Sequence, residues 1–101
     1  MYTVVVADDE EEIRRSLIRK VDWAQIGFQV VGEAENGVEA MDLVEKLEPD
    51  LLLTDVRMPF ISGIELARRV REIRPTVQIA FLSGFDDFSY AQQAIQYNIT
   101  S

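Results

Sequence analysis

The sequence has no cysteine and no histidine, and each absence removes a class of chemistry. Without cysteine there is neither a disulfide framework nor a thiolate metal site, a composition that suits a reducing compartment and predicts the cytoplasm. Without histidine there is no Ser-His or Cys-His nucleophilic site and no imidazole metal ligand. Any chemistry in this chain therefore has to come from carboxylates.

Clustered positive charge and long apolar runs are also missing. The formal net charge is −8 and lysine and arginine form no run, so we expect no direct contact with nucleic acid or a membrane surface. No apolar run approaches the roughly 18 residues of a membrane-spanning helix, and we find no targeting signal. With 101 residues, of which 48% are hydrophobic, the sequence predicts one compact domain with a modest core.

Short apolar runs alternate with stretches of helical spacing. The runs predict buried parallel strands over residues 4–7, 28–31, 51–54 and 77–82. Helical spacing predicts helices over residues 13–21, 40–47, 64–73 and 87–97. Pro49 and Pro75 follow two of these helices, and Asn36-Gly37 marks a turn. Strict alternation predicts an α/β protein, with a right-handed parallel sheet and helices on both faces.

Acidic residues follow two of the predicted strands where each strand ends. Asp8, Asp9 and Glu10 follow the first strand, and Asp55 follows the third. Ligands of an open parallel sheet bind beyond the carboxyl ends of its strands, so these side chains converge if the strands are neighbours. Two unit charges about 4 Å apart repel by about 4 kcal/mol at an effective dielectric near 20, so the cluster needs a cation or raised pKa values. Oxygen ligands alone favour a hard divalent ion, and magnesium fits best.

A structural interpretation stays open beside the metal site. Asp8, Asp9 and Glu10 could cap the following helix, and Asp55 could be an ordinary turn residue. Their joint placement favours a site.

Ser83 and Gly84 end the fourth strand at the same edge of the sheet. If the neighbouring aspartate were phosphorylated, the Ser83 hydroxyl could donate to a phosphoryl oxygen and move to meet it, which would make a switch. A Ser-Gly pair alone is more often just a turn.

The chain resembles the receiver domain of two-component response regulators over its entire length. The matching segments are Val-Ala-Asp-Asp-Glu at 6–10, Gly-Glu-Ala-Glu-Asn-Gly at 32–37, Pro-Asp-Leu-Leu-Leu-Thr-Asp-Val-Arg-Met-Pro at 49–59, and Leu-Ser-Gly at 82–84. The resemblance implies a flavodoxin-like sheet of strand order 2-1-3-4-5. It also implies that a sensor histidine kinase phosphorylates Asp55, which controls an attached DNA-binding domain that regulates transcription.

By the same resemblance, Mg²⁺ would be held by Asp9, Asp55 and the backbone carbonyl of Arg57, with Asp8 contributing mostly through water. Ser83 would take the place of the switch hydroxyl.

Other segments are similar to receivers that are joined to AraC-type helix-turn-helix transcription factors. They are Asp22-Trp23, Gly27-Phe28 and residues 84–91. We expect Trp23 and Phe28 to serve ordinary packing, and Phe85 and Tyr90 to move with the switch.

In this family the pattern would continue past Ser101 into a fifth strand with a site lysine and then a fifth helix. We therefore expect residues 1–101 to be a truncated receiver domain that lacks these elements, with the DNA-binding output domain outside the chain. Strand four would then be an open edge, so we expect self-association or marginal stability.

Two other classes of function remain to be weighed. A dimerisation module that is never phosphorylated would keep the same fold, and it stays open as the alternative. An enzyme fits poorly. An aspartate-nucleophile phosphatase would want a second acid two residues after Asp55, where Arg57 stands, and a flavin-phosphate loop would be repelled by the acidic residues after strand one.

Overall fold

The computed structural model describes residues 1–82, in which strands and helices alternate. The elements in chain order are β1 (Tyr2–Ala7), α1 (Glu11–Lys20), β2 (Phe28–Ala34), α2 (Gly37–Leu47), β3 (Leu51–Asp55), α3 (Gly63–Ile73) and β4 (Gln78–Leu82). The strands are parallel and lie in the order β2-β1-β3-β4. The predicted flavodoxin-like α/β fold is therefore confirmed over this part of the chain. The predicted helix over residues 87–97 lies outside the described residues.

The sheet is buried on both faces, which explains why its central strands read as continuous apolar runs. In β1, Val4 and Val6 pack on one face with Leu17 of α1, while Val5 packs on the other with Leu66 of α3. Successive side chains of a strand point to opposite faces, so a strand that is covered on both sides needs apolar residues at every position.

Each of α2 and α3 begins at a capping residue that the sequence shows as a short polar motif. The Asn36 side chain accepts a hydrogen bond from the Glu39 amide at 2.9 Å, and Ser62 accepts one from the Glu65 amide at 3.2 Å. These side chains satisfy amides that the first helical turn leaves without partners. Asn36 thus starts a helix, where the sequence predicted a turn.

β2 is three residues longer than predicted, because it continues through Gly32 and Glu33 to Ala34. The prediction ended at the last apolar residue of the run. Among the described strands β2 lies at the edge of the sheet, where pairing with β1 alone sustains it.

Trp23 and Phe28 pack into the core beside α1, as predicted. The Trp23 indole also donates a hydrogen bond to the Ile18 carbonyl at 3.0 Å. Among the helices of residues 1–82, none combines the length and the apolar character that crossing a membrane requires.

Candidate functional site

The strand order brings the two acidic strand ends together. β1 pairs directly with β3, with Ala7 opposite Thr54, so Asp8 and Asp9 leave the sheet beside Asp55. One oxygen from each of these three carboxylates lies within 4.8 Å of the others. The predicted convergence is therefore present. Glu10 lies outside this group and is the N-cap residue of α1.

The three carboxylates differ in how far water reaches them. Asp8 is only 3% exposed, Asp55 is partly buried and Asp9 is exposed. Charged groups repel more strongly where water is excluded, so the crowding costs most at Asp8.

The pKa of Asp8 is raised from 3.8 to about 6. Burial is the largest cause and the charges of Asp55, Asp9 and Glu10 add to it, while a hydrogen bond from the Glu10 amide opposes the rise. That amide donates to Asp8 Oδ1 at 2.9 Å. Burial also raises the pKa of Asp55, with Asp9 contributing, while hydrogen bonds from the Val56 and Arg57 amides oppose the rise. Ionising all three groups together is therefore unfavourable unless a cation offsets the repulsion.

The donor set fits a hard divalent cation. It consists of carboxylate oxygens alone, which magnesium prefers, and at least one face of the cluster is open to water through Asp9. None of these acids makes a side-chain capping hydrogen bond to α1: the N-cap residue Glu10 makes none, and Asp8 accepts from the amide of Glu10 itself.

Hydrogen bonds from its two chain neighbours hold Asp55 in place. The Val56 amide donates to Asp55 Oδ1 at 2.8 Å. The Thr54 hydroxyl donates to the Asp55 carbonyl at 2.9 Å. Hydrogen bonds to both the side chain and the carbonyl fix the direction in which this carboxylate leaves β3.

Gly63 is glycine because the Asp55 backbone occupies the space of a side chain. A Cβ atom at Gly63 would lie 2.0 Å from the Asp55 carbonyl oxygen, and the Gly63 amide donates to the Val56 carbonyl at 2.8 Å. Gly37 is similarly close to the same loop, where its Cβ would lie 2.6 Å from the Cβ of Ile61. The sequence alone showed no sign of these two close approaches.

Arg57 and Ser83 are the two predicted site residues whose roles remain predictions. The Arg57 amide donates to the Asp55 carboxylate and its charge lowers the pKa of that group. No observation tests its carbonyl as a metal ligand. Leu82, opposite Asp55 in β4, is the last described residue, so Ser83 lies outside the described residues, as do Phe85 and Tyr90.

Arg14 is a site neighbour that sequence reasoning missed. Its guanidinium is buried and bonds both the Asp8 carbonyl and the Glu33 carboxylate. One signal was available: Arg14 stands three residues before the buried Leu17, so it shares the inward face of α1.

The sequence matches the response regulator receiver domain family over residues 4–101. It is 37% identical over 99 residues to the uncharacterized transcriptional regulatory protein YesN of Bacillus subtilis, an alignment that covers 98% of this chain and 27% of that protein. The transcriptional regulatory protein HptR of Staphylococcus aureus is 36% identical, with 98% and 38% covered. The chain thus spans well under half the length of these curated relatives.

Two solved structures share the fold. The REC domain of the response regulator AraT from Geobacillus stearothermophilus gives a TM-score of 0.78 at 39% identity, covering 94% of this chain and 74% of that one. A two component transcriptional regulator AraC from Clostridium phytofermentans gives 0.88 at 29% identity, covering 99% and 93%. The expected likeness to AraC-type regulators is confirmed, and the chain belongs to the response regulator receiver domain family.

Proposed function

We propose that this chain is the phosphoryl-accepting receiver of a two-component system and that Asp55 is the acceptor. The observation that carries the proposal is the meeting of Asp8, Asp9 and Asp55 at the carboxyl edge of the sheet, with their oxygens within 4.8 Å. Family membership supports the same role, that of a signalling regulator.

In the proposed reaction an Asp55 carboxylate oxygen attacks the phosphorus of a phosphohistidine on the kinase. The P–N bond breaks as the new P–O bond forms, and its electron pair stays on the imidazole nitrogen. The product is an acyl phosphate on Asp55. Hydrogen bonds from the Val56 and Arg57 amides hold the carboxylate and favour its ionised form, which is the nucleophile.

Asp8, Asp9, Asp55 and the backbone carbonyl of Arg57 would hold magnesium, with Asp8 acting mostly through water. When bound, the ion would neutralise charge on the phosphoryl oxygens. The crowding of three carboxylates supports this assignment, because burial and, after it, the neighbouring charges raise the pKa of both Asp8 and Asp55.

The output belongs to the same proposal. A phosphoryl group adds about −1.5 to −2 charges, and the Ser83 hydroxyl would donate to it. Nearly complete switching needs about 5.5 kcal/mol of differential stabilisation between two states. The named relatives are transcriptional regulators of which this chain covers 27% and 38%, which supports an attached DNA-binding domain as the recipient.

A sensor histidine kinase as the donor and a cytoplasmic location rest on family membership. Self-association stays a prediction. Sedimentation velocity tests it: a sedimentation coefficient that rises with protein concentration is expected, and a single monomer species at all concentrations contradicts it.

The acceptor is tested by intact mass after incubation with magnesium and a small phosphodonor. We expect the wild type to gain the mass of one phosphoryl group and Asp55→Asn to gain none. Asp42→Asn is the matched control, since Asp42 is an exposed aspartate of α2 that pairs with Lys46 away from the cluster. Uptake that survives Asp55→Asn overturns the assignment, and so does the absence of uptake by a version of the protein extended through the fifth helix.

A further inference from the structure

Arg14 makes one buried and one partly buried contact beside the turn that carries Asp8 and Asp9. Its Nη1 donates to the Asp8 carbonyl at 2.8 Å, and its Nε donates to Glu33 Oε1 at 2.7 Å. The Arg14 side chain is only 6% exposed, while the Glu33 side chain is 40% exposed. A guanidinium that is buried to this degree requires both a counter-charge and acceptors for its hydrogens, and here Glu33 and Asp8 supply them.

The Asp8 carbonyl belongs to the same planar peptide unit as the Asp9 amide. A hydrogen bond to that oxygen restrains the rotation of the plane and therefore the direction in which the Asp9 side chain leaves the backbone. The Asp8 amide is itself bonded to the Ala34 carbonyl at 3.0 Å, and Asp8 Oδ1 accepts from the Glu10 amide at 2.9 Å. Arg14 thus completes the set of bonds around Asp8.

We propose that Arg14 is a positioning residue: it fixes the Asp8–Asp9 peptide, and with it the two carboxylates that β1 brings to the site, while Glu33 serves as its counter-charge. The link to magnesium rests on the proposed function. If Arg14 acts only through its charge, or if instead it positions the backbone, its removal should change magnesium affinity in opposite directions. Removing a positive charge near a cation site strengthens cation binding, whereas removing a support of the ligand backbone weakens it.

Magnesium affinity separates these expectations. We expect Arg14→Met to bind Mg²⁺ about tenfold more weakly by titration calorimetry, as is usual when a partner behind a metal ligand is lost. Arg15→Met is the matched control. Arg15 also approaches Glu33, at 4.0 Å, but it is 61% exposed, so its loss should change affinity by less than about twofold. Arg14→Lys keeps the charge without the planar fork and should fall between the wild type and Arg14→Met.

A second measurement needs no metal. Hydrogen exchange of the Glu10 amide in the presence of a chelator reports on the turn directly, because that amide donates to Asp8 Oδ1. We expect several-fold faster exchange in Arg14→Met and no change in Arg15→Met. Thermal unfolding identifies a temperature at which each variant is folded. If Arg14→Met does not fold, Glu33→Gln, which removes the counter-charge, should show the same loosening.

The outcomes are distinguishable. Arg14→Met with wild-type or stronger Mg²⁺ affinity overturns the positioning role, and so does unchanged protection of the Glu10 amide in the folded variants. Absence of Mg²⁺ binding by the wild type overturns the metal in the proposed function instead, and hydrogen exchange then still decides whether Arg14 positions the turn.

Discussion

An aspartate lies beside β1 at each end of β3, and the two aspartates have opposite kinds of neighbours. At the amino end, Asp50 Oδ2 accepts from the Thr3 amide at 2.7 Å and from the Thr3 hydroxyl at 3.2 Å. The backbones of the two residues are also bonded, from the Asp50 amide to the Thr3 carbonyl at 3.0 Å. At the carboxyl end, Asp55 meets two further carboxylates.

One end therefore pairs an acid with donors, and the other places acids together. Pairing of the first kind stabilises a fold by itself: a hydrogen bond to a charged group contributes at most about 1.5–3 kcal/mol, and less at an exposed position such as this one. Placing acids together at a buried position destabilises the metal-free fold, and the pKa of Asp8 is raised by burial first and by the neighbouring charges second. The aspartate at the amino end of β3 therefore contributes to stability, whereas the aspartate at its carboxyl end contributes to a binding site.

The largest effect is expected from adding a methyl group behind the acceptor. Gly63→Ala places a Cβ 2.0 Å from the Asp55 carbonyl oxygen, so the backbone at the site has to move. We expect a loss of at least about 3 kcal/mol in the free energy of unfolding, measured by urea denaturation. Gly27→Ala is the control, because its Cβ meets nothing within 4 Å and it bears only the strain of φ +85°, worth about 1–2 kcal/mol. Equal losses in the two variants would contradict the close approach.

The next effect has the opposite sign. Asp8→Asn removes the crowded charge but keeps an oxygen for the Glu10 amide, so the metal-free protein should become more stable at pH 7. A rise in pKa from 3.8 to about 6 bounds the gain, which is at most about 3 kcal/mol. Urea denaturation in the presence of a chelator measures it. A variant less stable than the wild type would show that Asp8 is paired like Asp50.

The pH dependence follows from the same shift. Because the folded-state pKa of Asp8 is raised, the native state holds its proton more tightly than the unfolded state. This contribution to stability is fully present below pH 3.8 and is lost as the pH rises to about 6. The wild type should therefore lose stability relative to Asp8→Asn across that interval, and little beyond it. Denaturation of both proteins at a series of pH values, with a chelator present, checks this; a constant difference would contradict it.

Bound magnesium should offset the repulsion among the clustered carboxylates and so stabilise the native state. At a magnesium concentration one hundred times the Kd, binding stabilises the native state by about 2.7 kcal/mol. Asp9→Asn should lose most of this stabilisation, while Asp50→Asn should retain it. Thermal unfolding with and without magnesium measures both. Equal stabilisation of the two variants would place the metal elsewhere.

The smallest effect is expected at the amino end. Asp50→Ala removes the acceptor of the Thr3 amide and hydroxyl at an exposed edge, where water replaces part of the loss. We expect about 1–2 kcal/mol lower stability and unchanged Mg²⁺ affinity. Urea denaturation and calorimetry test the two parts, and a weakened Mg²⁺ affinity would mean that the two ends are coupled.

Much of the fold and the convergence of the acids could be predicted from the sequence, because both follow from simple periodicity. The runs at residues 4–7 and 51–54 show buried parallel strands, and adjacent strands bring Asp8 and Asp55 to one edge. Where the last residues of a strand are polar, the end of the strand could not be predicted this way. Glu33 extends β2 because β1 pairs with it, which no local pattern reveals.

Long-range contacts were the other gap. Gly63 looks like any turn glycine until the Asp55 carbonyl is placed beside it. Arg14 looks like one of several charged residues of α1 until the buried side of the helix is known. Helical spacing places Arg14 on the inward face of α1, but a single sequence does not show which groups of other elements pack against Arg14 or Gly63.

The most direct test of the contrast between the two ends is a carbon-detected NMR titration of the Asp8 carboxyl group, with a chelator and then with saturating magnesium. The account predicts a midpoint near 6 without metal and a clear fall of that midpoint when magnesium is present. A midpoint at the ordinary value of 3.8 without metal, or one that magnesium leaves unchanged, would contradict it.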